Sequence, residues 1–520
     1  MNYADLFRVL LPETMLEVAA LLVLIADLAF LRHAALRTRA AVATTLGVLG
    51  CLGSLWAIGL QSGFGLEVDG QLIFSTRGIA AAASAGIVIL SAITLLLLVE
   101  SSFTKHVGEY AAIVLMAAAG GQVVASAQDL LVIFVGLELL SLGLYVLTAF
   151  NKQSGKSAEA ALKYYLFGGM SAAFLLFGFS YFYGLAGSTN LAVIQSNIAE
   201  AGPTPLLYIA WILVVAGLAF KIAAAPFHLW APDAYEGAPA PAAAFIASVS
   251  KVASFALLLT FSGSWLIPGG IISGQAATIN RHLFWIYQTW PRLAAILLVI
   301  AAVSMIVGNL AALAQTSVRR LLAYSAIAHA GYILLGIGVH RAYTGPLDPF
   351  HFYMSTAAPE YAMANAVLYY VLTYGLTTIG AFAAVSVVER AMGSDRLDAF
   401  QGLSKKNPLV ATVLMVLFLS LAGIPPLVGF WAKFNLFAAV LNVGAGPVPF
   451  ALVALAIALS AVSLYYYLQV LKRAWVMPAA DERPIPVHPV TAAVLVAVAL
   501  AVVVLGCFPT LVENWIRIFF

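Results

Sequence analysis

The sequence predicts an all-α polytopic membrane protein of about 14 transmembrane helices. Three observations carry that prediction. The 520 residues are 63% hydrophobic and only 9% charged, with a mean hydropathy of +1.00; an average soluble domain is about 45–50% apolar and about 25% charged. The apolar residues gather in runs near the length of about 20 that a bilayer core demands. Lysine and arginine fall unequally between alternate connections, as membrane orientation requires. This composition excludes a water-soluble globule, a disordered chain and a nucleic-acid binder. The net charge of +3 points to no anionic partner. The two cysteines, Cys51 and Cys507, lie in apolar runs and offer no disulfide framework or CxxC metal site.

The expected spans are 13–31, 40–60, 78–99, 107–125, 129–149, 161–186, 205–230, 240–262, 293–314, 319–339, 364–388, 408–440, 449–471 and 489–508. The N-terminus does not read as a cleavable signal, because Asp5 precedes Arg8 and Asp27 interrupts the apolar stretch. With the N-terminus outside, 16 lysines and arginines fall in inward loops and 6 in outward segments. That bias supports the span count and places both termini outside, on the periplasmic face if the membrane is a bacterial inner membrane.

Three lysines fall within spans: Lys221, Lys251 and Lys433. A charged lysine at the bilayer centre costs about 2.5–3.5 kcal/mol on insertion scales. Lys221 is close enough to a span end to snorkel, whereas Lys251 is near the middle of its span and Lys433 deep in a long segment. Burial disfavours the charged amine, so a lysine held in that way can exchange a proton near neutral pH. Glu138 is the matching acid, in the middle of 129–149. It reads either as one half of a structural ion pair or as the group that sets the proton affinity of a neighbouring lysine.

Two spans carry prolines that break a helix: Pro226 in the first, and Pro425 with Pro426 in the second. Irregular backbone at membrane depth is tolerated where it is buried or lines a wet cavity. Paired interruptions in corresponding halves point to a transporter built from repeats. Helices 7 and 12 correspond if helices 4–8 and 9–13 are two five-helix units, and five being odd, the second is inverted. The expected organisation is one membrane domain over 1–520: three N-terminal helices in 1–106, a first repeat in 107–262, a second in 293–475 and a C-terminal helix in 489–520.

His329 is mid-span and reads as a proton relay or as a hydrogen-bonded core residue. His228 reads as a possible channel mouth. No His/Cys/carboxylate cluster has metal-ligand spacing, no phosphate loop stands in the right context, and no catalytic nucleophile is indicated. The aromatic residues of 263–292 read as an interfacial belt in a long outer loop. Residues 340–363 read as a second outer loop, and Asp395–Lys406 as a charged linker.

These residues carry a resemblance. Lys221-Ile-Ala-Ala-Ala-Pro-Phe-His-Leu-Trp-Ala-Pro-Asp233, its continuation Tyr235-Glu-Gly-Ala-Pro239, Gly136-Leu-Glu-Leu139 and Gly423-Ile-Pro-Pro-Leu-Val-Gly-Phe430 are similar to the antiporter-like, proton-translocating subunits of respiratory complex I, the NADH-quinone oxidoreductase. The Tyr-Glu-Gly-Ala-Pro wording, followed by Phe245 and Lys251, resembles the N type more than the L or M types. The match covers about residues 125–440 closely and the rest more loosely. The outer loops 263–292 and 340–363 are longer than the N type leads one to expect.

The resemblance implies 14 spans with an inverted repeat. It also implies a charged chain along the membrane mid-plane on Glu138, Lys221, Lys251 and Lys433, with His329 where a relay is expected. It implies no cofactor on this chain, with flavin, iron–sulfur clusters and quinone on partner subunits, and other membrane-arm subunits, antiporter-like ones included, as partners in the lipid bilayer. The expected mechanism starts with quinone reduction elsewhere in the complex, which loosens or tightens a Glu138–Lys221 pair. Two unit charges about 4 Å apart interact by roughly 4 kcal/mol at an effective dielectric of about 20. The proton then passes by way of Lys251 and His329 to Lys433 and out. The alternatives are a subunit of a multi-subunit sodium–proton antiporter, without redox coupling, and a non-pumping scaffold of the membrane arm.

Overall fold

The computed structural model describes residues 3–61, 65–68, 70–100, 103–201, 204–263, 276–343, 359–443, 446–479 and 483–520. Short α1 (Tyr3–Val9) leads into α2 (Leu11–Ile25), which continues as a π-helical turn over Ala26–Phe30. Then follow α3 (Leu36–Leu60), α4 (Ile79–Leu96), α5 (Val107–Ser126), α6 (Leu130–Thr148), α7 (Gly155–Ala186) and the short α8 (Leu191–Ala201). The middle of the chain holds α9 (Pro205–Lys221), α10 (Trp230–Gly237), α11 (Ala240–Ala247), α12 (Val249–Gly263), α13 (Ala276–Leu313) and α14 (Val318–Tyr343). The last part holds α15 (Pro359–Met392), α16 (Leu403–Lys406), α17 (Pro408–Ala422), α18 (Val428–Val443), α19 (Pro447–Trp475), α20 (Pro489–Cys507) and α21 (Thr510–Arg517).

Among the described residues, 11 helices are long and apolar enough to cross a membrane. The apolar helices α9, α17 and α18 are shorter. The chain is thus a multi-pass helical membrane protein. Its helix starts are written locally. Thr204 caps α9 by accepting from the Leu207 amide, Asn407 caps α17 through Val410, and Asp129 caps α6 through Leu131 and Val132. Proline follows the cap in α9 and α17, where its missing N–H costs nothing.

Several expectations are corrected by the fold. The all-α class holds, and a two-stranded antiparallel hairpin, β1 (Gly65–Val68) with β2 (Gln71–Ser75), is a local addition to it. Its signal was present as Asp69-Gly70 between apolar residues, and Gly70 has φ +76°. The amide of Gln128 donates to Ile73 O and the side chain of Asn190 to Leu72 O, which ties the hairpin to the ends of α5 and α8. The loop expected over 263–292 is helical from Ala276, and that over 340–363 is helical to Tyr343 and from Pro359. Hydropathy locates the apolar part of a helix, not its ends. Residues 264–275 and 344–358, with Trp265 of the expected aromatic belt, lie outside the described residues. The stretch expected as a linker carries a 3₁₀ turn over Leu397–Phe400 and α16; the amide of Val318 donates to Asp395 O and the Ser317 hydroxyl to the Asp395 carboxylate.

The helices approach closely where glycine allows it. A Cβ on Gly331 of α14 would lie 2.7 Å from the Ala301 carbonyl and 2.8 Å from the Met305 amide of α13. With no water to expel between spans, such contact between small residues is what holds membrane helices together.

Candidate functional site

The apolar run over 205–230 leaves helical form after Lys221 and resumes at Trp230, so Pro226 falls between α9 and α10. The groups freed there find partners. The Trp230 indole donates to the Phe220 carbonyl at 3.1 Å, and the Ala225 amide donates to Ser304 Oγ at 2.8 Å. Pro425 and Pro426 fall between α17 and α18, after Gly423 closes α17 at φ +89°. A further break, which the sequence did not reveal, separates α11 from α12 at Ser248, whose hydroxyl returns to the Ala244 carbonyl at 2.6 Å. All three breaks stand near a lysine.

Lys221 is the last residue of α9 and 8% exposed. A cation at a helix C-terminus is favoured by the backbone dipole. Its amine donates to Ser141 Oγ at 2.5 Å, and that hydroxyl donates to the Leu137 carbonyl at 2.5 Å. Half-buried Glu138 acts on Lys221 electrostatically, but no hydrogen bond or ion pair joins the two among the described residues. The expected direct contact is therefore taken by Ser141, which stands one turn from Glu138 on α6.

Lys251, on α12, is 2% exposed and donates to the Ala326 carbonyl of α14 at 2.6 Å. It also stands 5.6 Å from the ring centre of Tyr374 on α15. His329, one turn beyond Ala326, packs on the same Tyr374 ring at 4.7 Å and on Tyr332 at 5.7 Å. A hydrogen bond of 2.8 Å joins its Nδ1 to the Tyr370 hydroxyl. Lys433, on α18, lies 5.5 Å from the Tyr332 ring centre. It donates to the Leu421 and Ala422 carbonyls at 3.0 and 2.9 Å and to Ser460 Oγ at 2.8 Å. Those carbonyls end α17 and have no partner within their own helix, so the amine caps the break. His329 is thus flanked by two tyrosine rings, each facing a buried lysine, and both lysine charges act on it.

The two broken segments are not equivalent in detail. Lys221 ends the helix before its break, whereas Lys433 stands on the helix after its own. No hydrogen bond joins Lys221 to Lys251 among the described residues. His228 is buried between α9 and α10, with Nδ1 unpartnered and its ring 6.4 Å from Tyr324.

Sequence reasoning missed Ser141, Ser460, Tyr332, Tyr370, Tyr374 and Asn309. The Asn309 amide donates to the Tyr332 hydroxyl at 3.0 Å and accepts from Tyr466 at 3.3 Å. It also missed a charge cluster at the basic end. Asp233 of α10 accepts from Lys163 at 2.8 Å and Arg320 at 2.6 Å, while Glu236 accepts from Lys156 and Arg320, each at 3.0 Å. The available signal was Asp233 and Glu236 spaced three apart in a helical stretch. Among the described residues no group of three or more His, Cys, Asp or Glu is placed to hold a metal ion. The arrangement can hold and pass protons among amines, an imidazole and hydroxyls.

The fold and this interior define a polytopic membrane protein with a file of titratable and hydroxyl side chains. The model of the NADH:quinone oxidoreductase/Mrp antiporter transmembrane family matches residues 127–358 and 350–460. The chain is 45% identical to NADH-quinone oxidoreductase subunit N 2 of Acidobacterium capsulatum, over 99% of both chains. It shares 33% identity and a TM-score of 0.74 with a chain of respiratory complex I from Thermus thermophilus, covering 97% of this chain and 98% of that one. A chain of the Mrp complex from Dietzia shows the same fold at 21% identity and a TM-score of 0.74, over 99% of this chain and 96% of that one. The chain belongs to the NADH:quinone oxidoreductase/Mrp antiporter family, with its close likeness to the antiporter-like subunit N of complex I.

Proposed function

We propose that this chain is the proton-translocating, N-type membrane-arm subunit of an NADH-quinone oxidoreductase, working beside other antiporter-like subunits in a bacterial inner membrane. The observation that carries the reading is the run Lys251, Tyr374, His329, Tyr332, Lys433, in which each lysine meets one tyrosine ring and the histidine meets both. The likeness to subunit N supports its assignment to a redox-driven complex. On this reading the apolar segments make 14 spans with both termini outside, residues 107–262 and 293–475 are the inverted repeats, and His228 stands near an inner mouth. Flavin, iron–sulfur clusters and quinone belong to partner subunits.

In the proposed cycle, an electrostatic change at the α6 side moves the Lys221 amine between Ser141 and Glu138, one turn apart, where Cβ atoms are about 5–6 Å from each other. With Glu138 as its neighbour the amine holds its proton; on Ser141 it gives the proton up toward Lys251. His329 relays it to Lys433, whose cage of carbonyls and a hydroxyl favours the charged amine until release. Lys433→Ala or Glu138→Ala, in a complex that still assembles, is expected to lower the protons moved per NADH oxidised. Wild-type ratios in both variants would refute the mechanism. Purification through a tag on this chain separates the redox reading from an ion exchanger: flavin and iron–sulfur absorbance with NADH-driven quinone reduction supports it, and a colourless assembly favours the antiporter.

A further inference from the structure

Away from the lysine file, at the end of the bundle opposite the basic cluster, the first turn of α2 buries a carboxyl. Glu13 is 7% exposed, and its Oε2 has no hydrogen-bond partner. It lines a cavity of about 10 Å³ with Gln61, Thr76, Ser84 and Ser126, about the room one water centre takes. The Ser84 and Ser126 hydroxyls lie 3.4 Å apart and face each other. The Gln61 side-chain amide is held in place because its NH₂ group donates to the Arg8 and Val9 carbonyls. Gln122, one turn into the membrane from Ser126, carries a second unpartnered buried oxygen.

An orphaned buried carboxylate oxygen is costly, and an unpaired carboxylate in an apolar bundle costs far more. The charges near it do not remedy this: exposed Glu17, one turn along α2, is of the same sign. Either protonation of the carboxyl or a small cation held by hard oxygen donors removes that cost. The polar part of the lining supplies such donors, a carboxylate, serine and threonine hydroxyls and an amide, with no sulfur or imidazole, while Val9, Pro12, Ile58, Phe74 and Ala81 close the rest.

We propose that Glu13, Ser84 and Ser126 form a binding site for one small monovalent cation, a proton shared with a buried water or a sodium ion, separate from the mid-membrane lysines. Gln61 follows α3 and Thr76 follows the hairpin, so the site lies at that end of the bundle. It is an occupancy site on that side of the protein, and its existence does not depend on how the lysine file works.

The test uses the whole complex purified through this chain, as wild type and as Glu13→Gln, which keeps the shape and removes the titrating group. If sodium occupies the site, wild type binds one more equivalent of ²²Na⁺ than E13Q at equilibrium. If a proton occupies it, ²²Na⁺ binding is equal in the two, and the infrared spectrum of wild type has a protonated-carboxyl band that shifts in D₂O and is missing from E13Q. Equal sodium binding together with no such band overturns the proposal. Should E13Q fail to assemble, the Ser84→Ala/Ser126→Ala variant retains the carboxyl; loss of these hydroxyls is expected to weaken sodium binding about tenfold, or to move the band. No change in either measurement overturns the proposal equally.

Discussion

The amine of Lys221 donates to Ser141 Oγ at 2.5 Å, while the carboxylate of Glu138 stands one turn away on the same helix without touching it. On the proposed reading the lysine has two alternative partners, one neutral and one charged, on a single helix. Because the neutral partner is the one engaged, Ser141 is as much a part of the proposed switch as Glu138. A hydrogen bond to a charged group contributes about 1.5–3 kcal/mol.

Ser141→Ala should tip the amine to Glu138 and hold the proton on Lys221. NADH oxidation in membrane vesicles is expected to continue while proton uptake, followed by the quench of a pH-sensitive dye, slows about tenfold. Unaltered proton uptake in S141A would remove Ser141 from the mechanism.

Tyr332 is predicted to work through its ring rather than its hydroxyl. A desolvated cation over an aromatic face gains about 2 kcal/mol, and the ring is what Lys433 and His329 share. Tyr332→Phe should pump nearly as wild type does, and Tyr332→Leu should not. If the two variants are equally impaired, the hydroxyl bonded to Asn309 matters instead of the ring.

Gly423 closes α17 at φ +89°, and a Cβ there would lie 3.0 Å from Lys433 Cδ and 3.3 Å from its Nζ. Left-handed backbone costs a residue with a side chain about 1–2 kcal/mol, and the crowding falls on the lysine. Gly423→Ala is expected to reduce the thermal stability of the complex slightly and its proton pumping strongly. A variant with full pumping would show that the Lys433 cage tolerates displacement.

The charge cluster on α10 has a defined pH dependence. Burial pushes the Asp233 carboxyl up, but hydrogen bonds from Lys163 and Arg320, and their charges, outweigh it and hold the group below its usual value. A group whose folded-state value is depressed stabilises the fold above its unfolded value, about 3.9 for aspartate, and that contribution disappears as pH falls through the folded value. Stability from this cluster should therefore be nearly constant from about pH 5 to 8 and fall as the pH drops below about 4. Asp233→Asn should lose up to about 1 kcal/mol, the size expected of a solvent-screened pair, with the loss shrinking in high salt. Thermal unfolding of the complex at two salt concentrations measures it. A loss that does not respond to salt would mean that Asp233 acts by shape.

Much of the candidate site was legible because membrane burial makes charge conspicuous. Lys221, Lys251, Lys433, Glu138 and His329 stood out as polar residues in apolar runs, and four of them are buried in the fold. Glu138 is half-buried. The tyrosines between them were not legible, since Tyr332, Tyr370 and Tyr374 belong to the same apolar pattern as any packed aromatic residue. The break at Ser248 was invisible for a related reason: no proline or glycine marks it.

By itself, the sequence determined the class of protein, where its apolar stretches lie and the residues that carry charge into them. Each of these depends on local quantities, namely hydropathy over about 20 residues and the cost of an isolated charge in an apolar run. Only the tertiary structure decided what each charge touches. Lys221 meets Ser141 across 80 residues of chain and Lys251 meets Ala326 across 75. Such choices turn on ångström differences in how helices pack. A one-turn difference, about 5.4 Å along a helix, separates the serine that Lys221 binds from the glutamate it was expected to bind.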